Sequence, residues 1–219
     1  MNSKQRVGKY SAPEEKINVV SHAIGILAGI VALVLLLART LPGGETIRII
    51  SALIFGFSLI LLYTASTLYH GSKDSKHRNR LQVFDHASIY ILIAGSYTPF
   101  MLITLEGRIG RILLVVIWGL AICGVVIKLF FTGRFNLVLT IMYILLGWIV
   151  VLVLKPLIAN LAINGVILLF AGGISYTLGA VIYGIKKIPG NHAIFHLFVL
   201  IGSLCHFLSI YFYVLPVQL

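Results

Sequence analysis

Few charged side chains interrupt residues 18–38, 47–69, 82–104, 111–131, 136–154, 163–185 and 192–214, and the polar or Gly/Pro-containing breaks between these runs are short. An α-helix needs about 20 predominantly apolar residues to cross the roughly 30 Å hydrocarbon core of a bilayer, and each run has that length. The runs are continuously apolar and do not alternate with a period of two, so they specify helices rather than barrel strands. The expectation is an all-α membrane protein with seven transmembrane helices, residues 1–13 forming a flexible cytoplasmic tail and residues 14–219 the transmembrane domain. The first run follows a polar stretch, "MNSKQRVGKYSAPEEK", and continues to full spanning length, which fits a retained helix better than a cleaved signal. The breaks "RTLPGGETIR", "GSKDSKHRNR", "LEGRIGR", "FTGRF", "KPLIANLA" and "KKIPGN" make sequence neighbours antiparallel neighbours. No repeat of hydropathy or motif relates two halves of the chain, which argues against an inverted-repeat transporter.

Hydrophobic residues make up 59% of the 219-residue chain and charged residues 11%, which leaves no room for a sizeable soluble domain. A net charge of +11 would suggest a nucleic-acid partner in a soluble chain. Here the Lys and Arg residues lie almost entirely between apolar runs, without a basic groove carrying aromatic platforms, so no nucleic acid is expected and anionic membrane lipids are the expected partner. Lys4, Arg6, Lys9, Lys16, Lys73, Lys76, Arg78, Arg80, Lys128, Arg134, Lys186 and Lys187 fall on one side; only Arg39, Arg48, Arg108, Arg111 and Lys155 fall on the other. The positive-inside rule then places the N-terminus in the cytoplasm and the C-terminus outside. A G-protein-coupled receptor has the opposite orientation, so no G protein is expected, and the last run lacks the lysine that a retinal protein would need. Cys123 and Cys205 fall within apolar runs, where thiols act as small hydrophobes.

The polar residues inside the runs converge on one depth. The second helix runs toward the cytoplasm and ends in "TASTLYH", with Ser66 and His70 four residues apart on one face. The third starts there with "QVFDHASIY", which places Asp85 about one turn inside the membrane. The seventh starts there too, with "PGN" as breaker and cap ahead of His192 and His196. Histidines at i and i+4 lie ~40° apart around a helix, close enough to share a metal ion. With His70 they supply three nitrogen ligands and leave a fourth tetrahedral position for water, the pattern of a catalytic zinc site, where the pKa of that water falls to about 7. Asp85 and Ser66 are the candidate catalytic residues around it, Asp85 as proton acceptor and Ser66 as hydrogen-bond partner. Ala193 follows His192, so the H-E-x-x-H glutamate is absent and a general base must come from another helix.

The remaining polar residues have plainer readings. His206 lies ten residues, about 15 Å, beyond His196 and is expected to pack or hydrogen-bond rather than ligate. His77 sits among basic residues and is expected in solvent; His86 is about 100° around the helix from Asp85 and is expected to face elsewhere. Asn18 and His22, near the inner end of the first helix, are candidates either for local hydrogen bonding or for lining the same cavity as the histidines. Glu14 and Glu15 are read as first-turn charges complementing a helix dipole, and Gly25 and Gly29 as a close helix contact.

The segments "EEKINVVSH", "STLYH", "FDHASIYILIAGSYTPF" and "NHAIFHLFVLIGSLCHF" resemble the signature segments of the bacterial hemolysin III (TrhA) family. That family is related to the progestin and adipoQ receptors, including the adiponectin receptors, and is grouped with alkaline ceramidases in a membrane hydrolase superfamily. The resemblance implies a multi-pass protein of the bacterial plasma membrane, with zinc held by His70, His192 and His196 and with Asp85 and Ser66 contacting the zinc-associated water. The receptors' N-terminal cytoplasmic domain has no counterpart here, which counts against recognition of a protein hormone. Three functions follow as expectations: a zinc-dependent hydrolase of a lipid amide or ester, ceramidase-like and serving membrane-lipid homeostasis; a non-enzymatic zinc-stabilised sensor or homeostasis factor; and a pore-forming hemolysin causing cytolysis.

Overall fold

A computed structural model describes residues 10–130 and 136–216. The descriptions of residues 1–9 as a tail and of Arg134 as a loop cation lie outside the described residues. The described residues form α1 (Ala12–Thr40), α2 (Thr46–Gly71), α3 (Ser75–Pro99), α4 (Arg108–Phe130), α5 (Asn136–Gly147), α6 (Leu154–Asn160), α7 (Ile163–Gly184) and α8 (Asn191–Ser209), with no strand among them. Single π-turns, Phe100–Thr104 and Ile210–Val214, extend α3 and α8. Seven segments are long and apolar enough to cross a membrane, the fifth being Val138–Asn160.

Local chemistry sets the ends of these helices. Ser11 caps α1 by accepting from the Glu14 N–H, Pro13 occupies the first turn, and Glu14 and Glu15 meet the positive end of the dipole. The buried face of α1 runs Asn18, His22, Gly25, Gly29, Ala32, Leu36 and Thr40, a helical stripe. A Cβ on Gly25 would stand 2.5 Å from the Tyr63 ring and one on Gly29 3.2 Å from Ile60, so glycine is what allows α1 and α2 to approach closely. At the other end of the chain, Gly190 turns at φ +67° ahead of α8. Asn191 does not cap α8; its amide donates to the carbonyls of Tyr183 (2.9 Å) and Ile185 (3.2 Å), closing the last turn of α7.

Two breaks differ from the sequence expectation. The basic run "SKHRNR" is not a loop but the first two turns of α3, because Asp74 accepts from the N–H groups of Lys76 (2.7 Å) and His77 (3.1 Å). Those two bonds hold the exposed Asp74 carboxyl below its ordinary pKa. The fifth span is broken rather than ending at residue 154: α5 passes through a 3₁₀ segment, Ile149–Val153, into α6, so most of "KPLIANLA" is helical. The Tyr97 hydroxyl donates to the Gly147 carbonyl (2.7 Å) and accepts from the Val150 N–H (3.0 Å), which satisfies backbone groups that the break frees inside the membrane. Pro156 lies in the first turn of α6, where its missing N–H costs no intrahelical bond.

The spans are unequally buried. Of the most apolar window in each, 72% is buried for the third span but 22% for the fourth and for the fifth, so α3 is central and α4, α5 and α6 are largely lipid-facing. Among the helices lies a cavity of about 590 Å³, walled mostly by α3, α5, α7 and α8 and reached also by residues of α1, α2 and α4.

Candidate metal and catalytic site

The C-terminal end of α2 and the N-terminal end of α8 bring three imidazoles together. His192 Nε2 lies 2.9 Å from His70 Nε2 and 3.1 Å from His196 Nε2. His70 is 3% exposed, His192 4% and His196 1%. Among the described residues these three form the group able to hold a metal ion, with their donor atoms all within 4.8 Å of one another. Nitrogens bound tetrahedrally at about 2.0–2.1 Å from one ion would stand roughly 3.3 Å apart, so the two spacings about His192 need only small adjustments. The proton inventory argues the same way. A neutral imidazole nitrogen either donates or accepts one bond, so His192 Nε2 can complete a hydrogen bond with only one of the two Nε2 atoms it faces, and the lone pairs left converging in an apolar interior want a cation. The donor set therefore fits a borderline-soft divalent ion such as zinc.

The two proposed catalytic residues enter the same cavity. Ser66, Asp85, His192 and His196 line it, and His70 stands behind His192. Asp85 is buried, and its carboxyl faces Ser66 and Lys128. Ser66 Oγ neighbours that carboxyl but makes no hydrogen bond of ordinary geometry, which leaves a buried hydroxyl able to meet a substrate or water.

Other sequence candidates fall into place around this group. His22 lines the cavity and stacks flat on His196, ring centroids 3.5 Å apart and planes 9° apart, with both ring nitrogens unpartnered. Asn18 is not in the cavity wall; it is buried behind the histidines, its Nδ2 3.4 Å from His70 Nδ1. His86 was expected to face elsewhere, but it too lines the cavity, while its carbonyl accepts from Tyr143 Oη at 3.1 Å. The reason is the breadth of the cavity wall on α3, which runs from Gln82 to Phe100 and takes in more than one helical face. His77 is exposed beside Asp74, as read. His206 has no place in the metal group; its Nε2 donates to the Leu169 carbonyl at 3.2 Å.

Four residues read as surface or dipole charges, or left unread, belong to the site. Glu15 Oε2 is 2.6 Å from His70 Nδ1, and its other oxygen pairs with Arg78. Arg78 is 8% exposed, stacks over Tyr69 and donates to the carbonyls of His70 and Ser72, so it is not a loop cation. Lys128 is 5% exposed and lines the cavity instead of the membrane surface. Tyr10 stacks on His192 at a centroid distance of 4.5 Å and 12° between planes, with its hydroxyl 3.4 Å from that of Tyr183. Burial, with Tyr183 beside it, pushes the Tyr10 phenol up, so it stays neutral. An ion pair between α1 and α3 leaves no spacing in the sequence; only the polar first turns of both helices could have hinted at it.

Residues 10–207 match the family model described as "Haemolysin-III related". The "Hemolysin-3 homolog" of Bacillus subtilis is 45% identical over 208 residues, covering 95% of this chain and 98% of that protein. "Hemolysin-3" of Bacillus cereus is 45% identical over 203 residues, 93% of each chain. The human "Monocyte to macrophage differentiation factor", of the progestin and adipoQ receptor type, is 29% identical over 206 residues, covering 91% of this chain and 84% of that protein. With the matched region running from Tyr10 through six spans and into the seventh, to Phe207 on α8, the chain is a multi-pass membrane protein and belongs to the haemolysin-III related family.

Proposed function

We propose that this protein is a zinc-dependent hydrolase that cleaves an amide or ester of a membrane lipid near the inner leaflet and so serves membrane-lipid homeostasis. The observation that carries the reading is a buried histidine triplet, two members of which line a 590 Å³, mostly apolar cavity that Asp85 and Ser66 line as well. Zinc at such a site supplies a Lewis acid for a carbonyl oxygen and a nucleophilic water at neutral pH. The chain supplies the rest. His70, His192 and His196 hold the ion; Asp85 takes the proton of the attacking water and returns it to the leaving group; Ser66 orients that water or the substrate carbonyl. Ile89, Ile93, Phe170 and Val199 offer an apolar wall for an acyl chain, and the inner end of the cavity carries Lys128 and Lys186, suited to a polar headgroup. The positive-inside distribution of Lys and Arg assigns that end to the cytoplasm.

The test is turnover of defined lipid amides and esters by purified protein in liposomes, for the wild type, the zinc-stripped protein and Asp85→Asn. Asp85→Asn is expected to lose about 10²–10⁴-fold in rate while keeping its zinc, the usual worth of a general base. Equal turnover in all three samples overturns the reading. The ligands come from α2 and α8, and both helices are packed against α1. That arrangement favours a second reading, in which the ion only ties the bundle of a non-enzymatic homeostasis factor; Asp85→Asn would then leave cellular function intact while His70→Ala removes it.

A further inference from the structure

Helix α1 donates no ligand to the histidine triplet, yet its inner turns touch two of the three outer ring nitrogens. His70 Nδ1 meets Glu15 Oε2 at 2.6 Å and Asn18 Nδ2 at 3.4 Å. These contacts make opposite demands, since a carboxylate can only accept and an amide N–H₂ can only donate. The shorter, charge-assisted contact decides: Nδ1 carries the proton and donates a hydrogen bond to Glu15, and Asn18 is left at the margin of hydrogen-bond distance. The proton on Nδ1 makes Nε2 a bare lone pair, turned toward His192. Glu15 is itself fixed, because its second oxygen pairs with the buried Arg78, which is also held by the His70 and Ser72 carbonyls. His196 repeats the pattern. Its Nδ1 lies 3.3 Å from Ser21 Oγ, and Ser21 uses its own proton on the Asn18 carbonyl at 3.1 Å, so Ser21 Oγ is left to accept. His192 Nδ1 has no such partner; its ring lies against Tyr10 instead.

We propose that Glu15, clamped by Arg78, is a positioning residue that holds His70 in the tautomer and orientation that present Nε2 to a metal ion, with Ser21 doing the same for His196. This inference rests on the reading of the triplet as metal ligands. Outer partners of this kind typically change metal affinity by 10–100-fold when removed, because they fix the ring and raise its basicity.

The experiment uses full-length protein in detergent. Zinc release to a chromophoric chelator is timed, and the absorption spectrum of the cobalt-substituted protein is recorded, for the wild type, Glu15→Ala, Glu15→Gln, Ser21→Ala and Glu14→Gln. Glu15→Ala should weaken zinc binding by about 10–100-fold and shift the cobalt bands; Glu15→Gln, nearly isosteric and still able to accept, should fall between it and the wild type. Ser21→Ala should show a smaller loss in the same direction. Glu14→Gln removes the same charge about 100° around the helix and should match the wild type, which separates orientation from bulk electrostatics. If the wild type holds zinc and both Glu15 variants keep its affinity, release rate and cobalt spectrum, the inference is wrong. If the wild type holds no zinc or cobalt at all, the metal reading itself fails. Should Glu15→Ala not fold, Glu15→Gln and Arg78→Gln, the latter leaving the carboxylate in place but unclamped, decide between the same outcomes.

Discussion

His196 and His206 stand on the same helix, ten residues apart, in the same apolar stretch, and both are buried. His206 Nε2 has a carbonyl to bond, that of Leu169, and a carbonyl accepts without asking for anything else. His196 Nε2 has His192 Nε2, and His192 Nε2 has His70 Nε2, so each finds only another imidazole nitrogen. Burial and residue type are therefore poor guides to a ligand. What separates the two positions is whether the neighbouring atom can complete a hydrogen bond with a neutral ring or leaves lone pairs converging.

The largest effect expected from this contrast is on metal content. Elemental analysis of purified protein should give about one zinc per chain for the wild type and for His206→Ala, and close to none for His196→Ala or His70→Ala. Zinc retained in His196→Ala, or lost in His206→Ala, would erase the distinction between the two ends of α8. A second effect follows by linkage. At a free zinc concentration about 100 times its dissociation constant, binding to the folded state alone adds about 2.7 kcal/mol. Chelation should therefore lower the melting temperature of the wild type and of His206→Ala alike, and leave that of His196→Ala where it was.

The sequence showed the three histidines that meet and the spans they lie on for a common reason. Each rests on a local pattern, an apolar run of bilayer length or an i, i+4 pair at its end, and the depth of one helix end in a bilayer is predictable from its run. Outside such patterns the reading failed in identifiable ways. Glu15 looked like a charge serving its own helix dipole because its partner, His70, arrives 55 residues later on a helix running the other way. Arg78 and Lys128 looked like loop cations because hydropathy places a residue along the membrane normal but says nothing of which way it points; both point inward. The broken fifth span was invisible because Tyr97, on another helix, satisfies the groups freed between Gly147 and Val150. Tyr10 lay in what was read as a tail, and its flat contact with His192 has no signature in composition.

The smaller effects concern the deep end of α8. His206 also packs against Gly172, where a Cβ would run into its ring, and meets the edge of Tyr176 at a centroid distance of 5.3 Å. His206→Phe keeps much of that packing and deletes the bond to Leu169, so its cost should be that of one interhelical hydrogen bond in a membrane, about 0.6–1.7 kcal/mol, read from thermal or denaturant unfolding with zinc content unchanged.

His206→Gln is the finer probe. A glutamine amide can extend an N–H toward the Leu169 carbonyl, but it can offer no imidazole lone pair to a metal ion. If a single donated bond is the whole role of His206, glutamine should restore stability to within about 0.5 kcal/mol of the wild type, a smaller change than phenylalanine produces. The same replacement at position 196 should restore nothing, because there the required group is an imidazole nitrogen that converges with two others, which an amide does not supply. Equal behaviour of His196→Gln and His206→Gln, in metal content and in stability, would mean that the two histidines do the same work and that their different neighbours carry no chemical meaning.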